Sequence, residues 1–292
     1  MSTTIGEALR CAMHRLIRAA IPEPRAAAEV LLADLLAVPR WQLHLERDRI
    51  FEKRLHACYA KRLARRLRGE PVQYITGRQE FWSLEFNVNA DVLIPRPESE
   101  LLVEHGVRLA RQWHMLQPER ALHLLDVGTG SGNLAISLAH ELPQSSVCGI
   151  DCSLPALRVA QHNARRLGVA CQLTWSCGDL VAPLHGRGRQ FALCVSNLPY
   201  VTVDEWRQLP REIQRYEPTG ALVGGQDGLE LIRRLIVDSP QVLAAGGSLL
   251  LEVGWQQAAK VLDIVRQSGF FHRMDVYHDL AGIERVVWAQ MP

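Results

Sequence analysis

The chain has 292 residues, 48% of them hydrophobic, and a formal net charge of +2. That length supports about two domains with separate cores, and the near-neutral balance excludes a polycation that holds nucleic acid by bulk charge. No apolar run reaches the ~18 residues of a membrane span and no basic-then-apolar leader opens the chain, so a soluble, cytoplasmic protein is expected.

The charge is uneven. Residues 1–75 carry 14 Lys and Arg against 8 Asp and Glu, whereas the remainder carries 19 against 23. The first part therefore suits an acidic partner better than the second. The seven cysteines are odd in number and form no CxxC pair, which favours buried reduced thiols over disulfides or a metal site.

In chain order, Thr4 with Glu7 is a capping box, and Ile5, Leu9, Ala12 and Leu16 recur at helical spacing. Pro22 and Pro24 break the pattern, "PRAAAEVLLADLLAV" restarts it, and Pro39 stops it. A third helix is expected from about Phe51 to Arg68. On it, Leu63 and Leu67 face inward. Lys61, Arg62, Arg65, Arg66 and Arg68 then form either a solvated face or a contact for an acidic partner. Residues 73–98 hold aromatics, alternation and Gly, Asn and Pro punctuation, and read as a β-hairpin linker.

A helix from about Ser99 to Trp113 follows. From residue 121 strands and helices alternate: "ALHLLDVG", "NLAISLAHEL", "SSVCGID", "PALRVAQHNARRLG", "CQLTWSCGD", "QFALCVSN", "GLELIRRLIVDSPQVLA", "GSLLLEVG". That alternation implies a mostly parallel sheet with helices on both faces. "MDVYHD" and "RVVWAQ", joined by a turn with Gly282, read as an antiparallel edge hairpin.

Two stretches carry chemistry. "DVGTGSGN" places Gly128, Gly130 and Gly132, with Thr129 and Ser131 between them, after a strand and before a helix. Glycines there let a ligand approach the backbone without a Cβ in the way. The spacing is G-x-G-x-G, not the G-x-G-x-x-G of dinucleotide sites. Asp126 precedes the loop, and Asp151 ends the next strand, where a carboxylate suits a ribose diol. S-adenosylmethionine is the expected ligand and a nicotinamide cofactor the alternative. Asp179 or Leu180, at the end of the third strand, is expected beside the adenine edge.

"NLPY", Asn197–Tyr200, closes the fourth strand. Methylation of an amide nitrogen needs its N–H groups held so that the lone pair faces the methyl, and dipoles that stabilise charge as conjugation is lost. The Asn197 side-chain carbonyl and the Leu198 main-chain carbonyl offer two acceptors. Pro199 keeps Leu198 extended, and Tyr200 offers an aromatic wall.

At this point the chain resembles the PrmC (HemK) glutamine methyltransferases. The resemblance rests on "GEPVQYITGRQEFWSLEF", "LIPRPESELLVE", "LLDVGTGSGNLAISLA", "VSNLPYV", "YEPTGALVGGQDGLE" and "LLLEVGWQQ", in that order, and spans essentially the whole chain. It implies methyl transfer from S-adenosylmethionine to the glutamine amide nitrogen of the Gly-Gly-Gln motif in peptide chain release factors. It further implies that Gly128–Gly132, Asp151 and Asn197 hold the cofactor, and that Asn197–Tyr200 hold the substrate amide. Leu198 departs from that family's N-P-P-Y, and Leu180 stands where an aromatic is common. NLPY also occurs in rRNA adenine dimethyltransferases, so methylation of an adenine amino group in RNA or DNA is the second reading. A weakened, cofactor-dependent binding protein is the third.

The expected architecture is α/β. A helical bundle spans residues 1–72 and a hairpin linker 73–98. A doubly wound, Rossmann-like methyltransferase domain spans 99–292, mostly parallel with an antiparallel edge hairpin. The expected partner is a release factor, acted on by a monomer, and no metal is expected. "IPRP" is expected either to line the substrate pocket, with Arg96 bonding nearby backbone, or to be a linker of fixed direction; Glu217 and Pro218 in "YEPTG" are expected to be structural or to sit in a lid. "GGQ" at 224–226 is expected to be a turn before a helix.

Overall fold

The computed structural model describes residues 3–188 and 190–292. The chain divides into two compact units. One runs up to Arg78 and includes Pro210–Tyr216; the other takes Gln79–Leu209 and Glu217–Pro292. The first unit extends past the 72 read from the sequence because Val72–Thr76 adds a further helical turn to it. No helix among the described residues is long and apolar enough to cross a membrane.

The first unit contains α1 (Ile5–Arg18), α2 (Pro24–Leu36), α3 (Arg40–Leu45), α4 (Lys53–Leu67) and α5 (Val72–Thr76). Thr4 and Glu7 make the expected reciprocal capping box. Leu16, Leu31, Leu32, Leu43 and Leu63 fill the core, and the Tyr59 hydroxyl donates to the Ala28 carbonyl. The short α3 carries too few residues to show a period, and the sequence reading passed over it.

The basic face of α4 differs from expectation. Arg66 is buried, its guanidinium 2.8 Å from Glu212 and donating to the Glu70 carbonyl. Arg65 forks onto Glu70 and the carbonyl of Tyr74, and Arg62 pairs with Asp34 at 2.6 Å. Only Lys61 and Arg68 of the five are exposed. These arginines find carboxylates and carbonyls inside their own unit, which leaves them little to offer a partner. Arg66→Glu should therefore destabilise the fold by on the order of 3 kcal/mol, because it buries a charge beside a carboxylate. Denaturant unfolding measures this, and an unchanged midpoint would refute it.

The second unit opens with a hairpin, β1 (Arg78–Phe81) and β2 (Leu84–Asn87), then α6 (Glu100–Leu116). The alternating part follows as β3 (His123–Val127), α7 (Asn133–Glu141), β4 (Ser146–Asp151), α8 (Leu154–Arg166), β5 (Leu173–Cys177) and β6 (Phe191–Ser196). The short helix α9 (Val203–Gln208) comes next; α10 (Arg211–Tyr216) belongs to the first unit, and the second resumes with α11 (Glu230–Asp238), β7 (Leu243–Glu252), α12 (Ala258–Ser268), β8 (Arg273–His278) and β9 (Glu284–Gln290). The sheet order is β5-β4-β3-β6-β7-β9-β8. All neighbours up to β7 run parallel, and β9 pairs antiparallel with both β7 and β8.

α12 went unread in the sequence, although Ala258, Val261, Leu262 and Val265 recur at helical spacing before Gly269. The cysteines also depart from expectation. Cys194 in β6 is buried, but Cys11, Cys58, Cys152, Cys171 and Cys177 are exposed thiols.

From β3 the sheet grows one way through β4 and β5 and the other way through β6 and β7. The reversal lies between β3 and β6, and such switch points open a crevice at the strands' carboxyl ends. Val127 pairs with Ser196 there, and the Ser196 hydroxyl donates to the Val127 carbonyl at 2.6 Å. The glycine loop and NLPY therefore leave the sheet side by side.

Candidate active site

A cavity of about 270 Å³ opens at that crevice. Gly128, Thr129, Gly130 and Ser131 form one side, Asp151, Asp179 and Leu180 a second, and Asn197, Leu198 and Pro199 a third. Gly128, Gly130 and Gly132 all have positive φ, between 52° and 81°. A Cβ at Gly132 would lie 2.9 Å from Ile136 and 3.1 Å from Ala160, so α7 and α8 close onto the bare backbone.

Asp126 is not among the cavity-lining residues. It is fully buried beneath the loop, where one carboxylate oxygen accepts from the Thr129 hydroxyl at 2.6 Å and the Ala135 amide at 3.1 Å. Its strand position points it inward, so it braces the loop. Thr129 is tied down by the same bond. Asp151 does line the cavity. Its oxygens accept from the Gly130 amide at 2.9 Å and the Ser153 amide at 2.8 Å, which fixes the carboxylate at the cavity edge.

Asp179 is exposed and paired with Arg234, while Leu180 is buried in the wall. Leu180 has a φ of 47°, an unusual conformation for a leucine and one that costs of order 1–3 kcal/mol. The Gly178 amide donates to the Asp151 carbonyl just before it, holding the turn against the glycine-loop side.

Leu198 is buried. A methyl at Gly128 would lie 3.2 Å from its side chain, so this leucine seals the seam between the two loops. Tyr200 is not among the lining residues. Its ring lies beside Gly254 and its hydroxyl donates to Glu252 at 3.2 Å. A buried acceptor has drawn it away from the wall position expected of it.

Asn197 leads into a buried network. Its NH2 donates to the Ser99 hydroxyl at 2.9 Å, and that hydroxyl donates to Glu252 at 2.5 Å. Glu252 ends β7 one residue past Leu251, the partner of Ser196, and so comes beside the residue that follows Ser196. Burial pushes the carboxyls of Glu252 and Asp126 up to about 7. Both bind a proton more tightly when folded than unfolded. Their contribution to stability is full below their unfolded values near 4 and is lost as pH rises towards 7. Asp126→Asn should accordingly flatten the fall of melting temperature across that range; an unaltered slope would contradict it.

Two supports tie neighbouring segments to the site. Glu217, read as structural or part of a lid, is buried and accepts from Arg96 at 2.5 Å and from the Ile94 amide at 3.2 Å, as a structural role requires. Pro95 and Arg96 line the cavity, the Arg96 guanidinium bonds a side chain rather than backbone, and "YEPTG" is pinned. Val201 and Val223 form a bridge, and the Gly224 amide donates to the Val201 carbonyl. A Cβ at Gly224 would stand 2.2 Å from the Pro199 carbonyl oxygen, and one at Gly228 would stand 2.1 Å from that of Tyr200. The "GGQDG" turn therefore backs directly onto the tetrapeptide.

The chain matches the PrmC N-terminal domain over residues 7–77 and a methyltransferase domain over residues 124–220. It is 38% identical to a release factor glutamine methyltransferase of Nitratidesulfovibrio vulgaris, over 98% of this chain and 95% of that one. It is 40% identical to one from Moorella thermoacetica, over 97% and 96%. The chain belongs to the release factor glutamine methyltransferases. A solved structure, the hMettl16 catalytic domain bound to an RNA hairpin, shares the fold at TM-score 0.55 and 15% identity, covering 71% of this chain and 76% of that one.

In this glutamine methyltransferase the residues predicted from the sequence mostly converge, with Asp126 and Tyr200 displaced from direct contact with the cavity. Ser99, Glu252 and Asn163 went unread as site residues. Asn163 is fully buried and bonds both the Ser131 carbonyl and the backbone of Asn87, tying β2 to the glycine loop. An Asn in "AQHNARR" looks like an exposed helix position. A polar residue on that helix's apolar side was the signal available.

Proposed function

We propose that the chain transfers a methyl group from S-adenosylmethionine to the side-chain amide nitrogen of the glutamine in the Gly-Gly-Gln motif of peptide chain release factors. Membership in the release factor glutamine methyltransferases along nearly the full length of the chain carries this reading. The residues present suit the cofactor: a glycine backbone open to close approach, a fixed carboxylate at Asp151, and an apolar wall from Ile150, Leu180 and Leu231. Asp151 would hold the ribose hydroxyls, and Leu180 with its neighbours the adenine. The bound cofactor supplies an electrophilic methyl on sulfonium sulfur.

The chain's own residues position the acceptor. The Asn197 NH2 is committed to Ser99, which leaves Oδ1 to accept one N–H of the substrate amide. The Leu198 main-chain carbonyl accepts the other. With both N–H groups held, the nitrogen lone pair faces the methyl, and the two carbonyl dipoles stabilise the charge that develops on nitrogen. Pro199 and the buried Leu198 keep water from the approach.

A labelled-methyl assay offering purified release factor, ribosomal RNA and DNA side by side tests the reading. Label should appear in the release factor and vanish when its motif glutamine is replaced. Label in nucleic acid alone would overturn it in favour of adenine methylation.

A further inference from the structure

We propose that Glu252 is a positioning residue: acting through Ser99, it fixes which end of the Asn197 amide faces the substrate. The inference rests on amide methylation at this site and deepens it.

The argument is one of hydrogen-bond direction. An ionised carboxylate only accepts. The Ser99 hydroxyl has a single hydrogen, and it points to Glu252. Ser99 can then only accept from Asn197, so Asn197 must turn its NH2 inward and its carbonyl outward. A reversed amide would set two acceptors against each other at Ser99. It would also present N–H groups to a substrate that needs an acceptor. The chain of like-directed bonds ends on a negative charge, and each bond polarises the next. Oδ1 is therefore a stronger acceptor than an isolated amide oxygen when positive charge grows on the substrate nitrogen.

The second Glu252 oxygen accepts from Tyr200, so one buried carboxylate holds two residues of the tetrapeptide, one of them through Ser99. Around it, Glu98 raises its proton affinity, Arg285 lowers it, and the Tyr200 and Ser99 hydroxyls stabilise its charge. Once protonated, Glu252 can donate to Ser99. Ser99 can then donate to Asn197, and both amide orientations become satisfied. Activity is therefore present above the Glu252 pKa, held up near 7 by burial, and lost as pH falls through it. Asp126 titrates in the same range from beneath the glycine loop, so the variant rather than the wild-type profile decides.

The test is steady-state methylation of release factor from about pH 5.5 to about 9. Glu252→Gln should lower kcat at the alkaline end by at least ~30-fold, leave the release-factor KM within ~3-fold, and abolish the acid limb. Ser99→Ala should behave alike, and Ser99→Thr should restore most of the rate. If Glu252→Gln fails a melting and cofactor-binding check, the two serine variants decide alone. The inference is overturned if Glu252→Gln keeps its rate and its acid limb, which then belongs to Asp126, or if Ser99→Ala and Ser99→Thr act alike. A wild type that leaves release factor unmethylated is a different result: it sinks the function reading and this inference with it.

Discussion

Asn197→Ala should reduce methyl transfer to release factor by about a thousand-fold, the scale seen when one preorganised charge-stabilising group is removed. The loss has two sources. The substrate amide loses the acceptor that holds one N–H, so its lone pair is no longer aimed. The Ser99 hydroxyl also loses its incoming donor in a buried place, which loosens the path to Glu252. Because the Gly128–Gly132 loop and Asp151 are held by their own bonds, cofactor affinity should change by less than about ten-fold. Single-turnover transfer with a separate cofactor titration separates the two effects. A variant within ten-fold of wild type in rate would remove Asn197 from the chemistry.

Gly224→Ala should cost at least about a hundred-fold in kcat/KM, because an ångström-scale shift of positioning groups has that effect. The added methyl would stand 2.2 Å from the Pro199 carbonyl oxygen and 2.7 Å from that of Gly228. Backbone lies on both sides, so no side chain can rotate away. The tetrapeptide or the turn must move, and with it the Leu198 carbonyl. The fold should survive, since the strain falls outside the β6–β7 core. Release-factor methylation together with a melting curve checks this; full activity in a stable variant would mean that the turn is not a support.

The doubly wound sheet was legible because each strand is a short apolar run with turn residues at its end. Leu124–Val127 and Phe191–Ser196 are buried almost residue by residue, as central parallel strands must be. The glycine loop and NLPY were legible for a related reason: local backbone demands select unusual residues. What stayed hidden depends on distance along the chain. Ser99 meets Glu252 across 153 positions, and Arg96 meets Glu217 across 121. A lone Ser or Glu carries no mark of such a partner. Asp126 and Tyr200 were misplaced for the same reason, since their direction depends on acceptors and donors supplied by other segments. On α4 the positive charges were visible, but not the carboxylates waiting for them.

The "GGQDG" turn leaves the chain carrying its own copy of the tripeptide proposed as its target. Gly224 is wedged against Pro199, Gly225 sits at a φ of 95° with Glu230 where a side chain would go, and Asp227 is clamped by Arg233. Gln226 is exposed, and with its turn held this way it should stay out of the cavity that the turn's backbone props up. Selectivity then depends on slack in the chain that bears the glutamine, not on its spelling. Intact mass after prolonged incubation with cofactor alone should stay unchanged; a methyl gained at Gln226 would show that this internal decoy is readable after all.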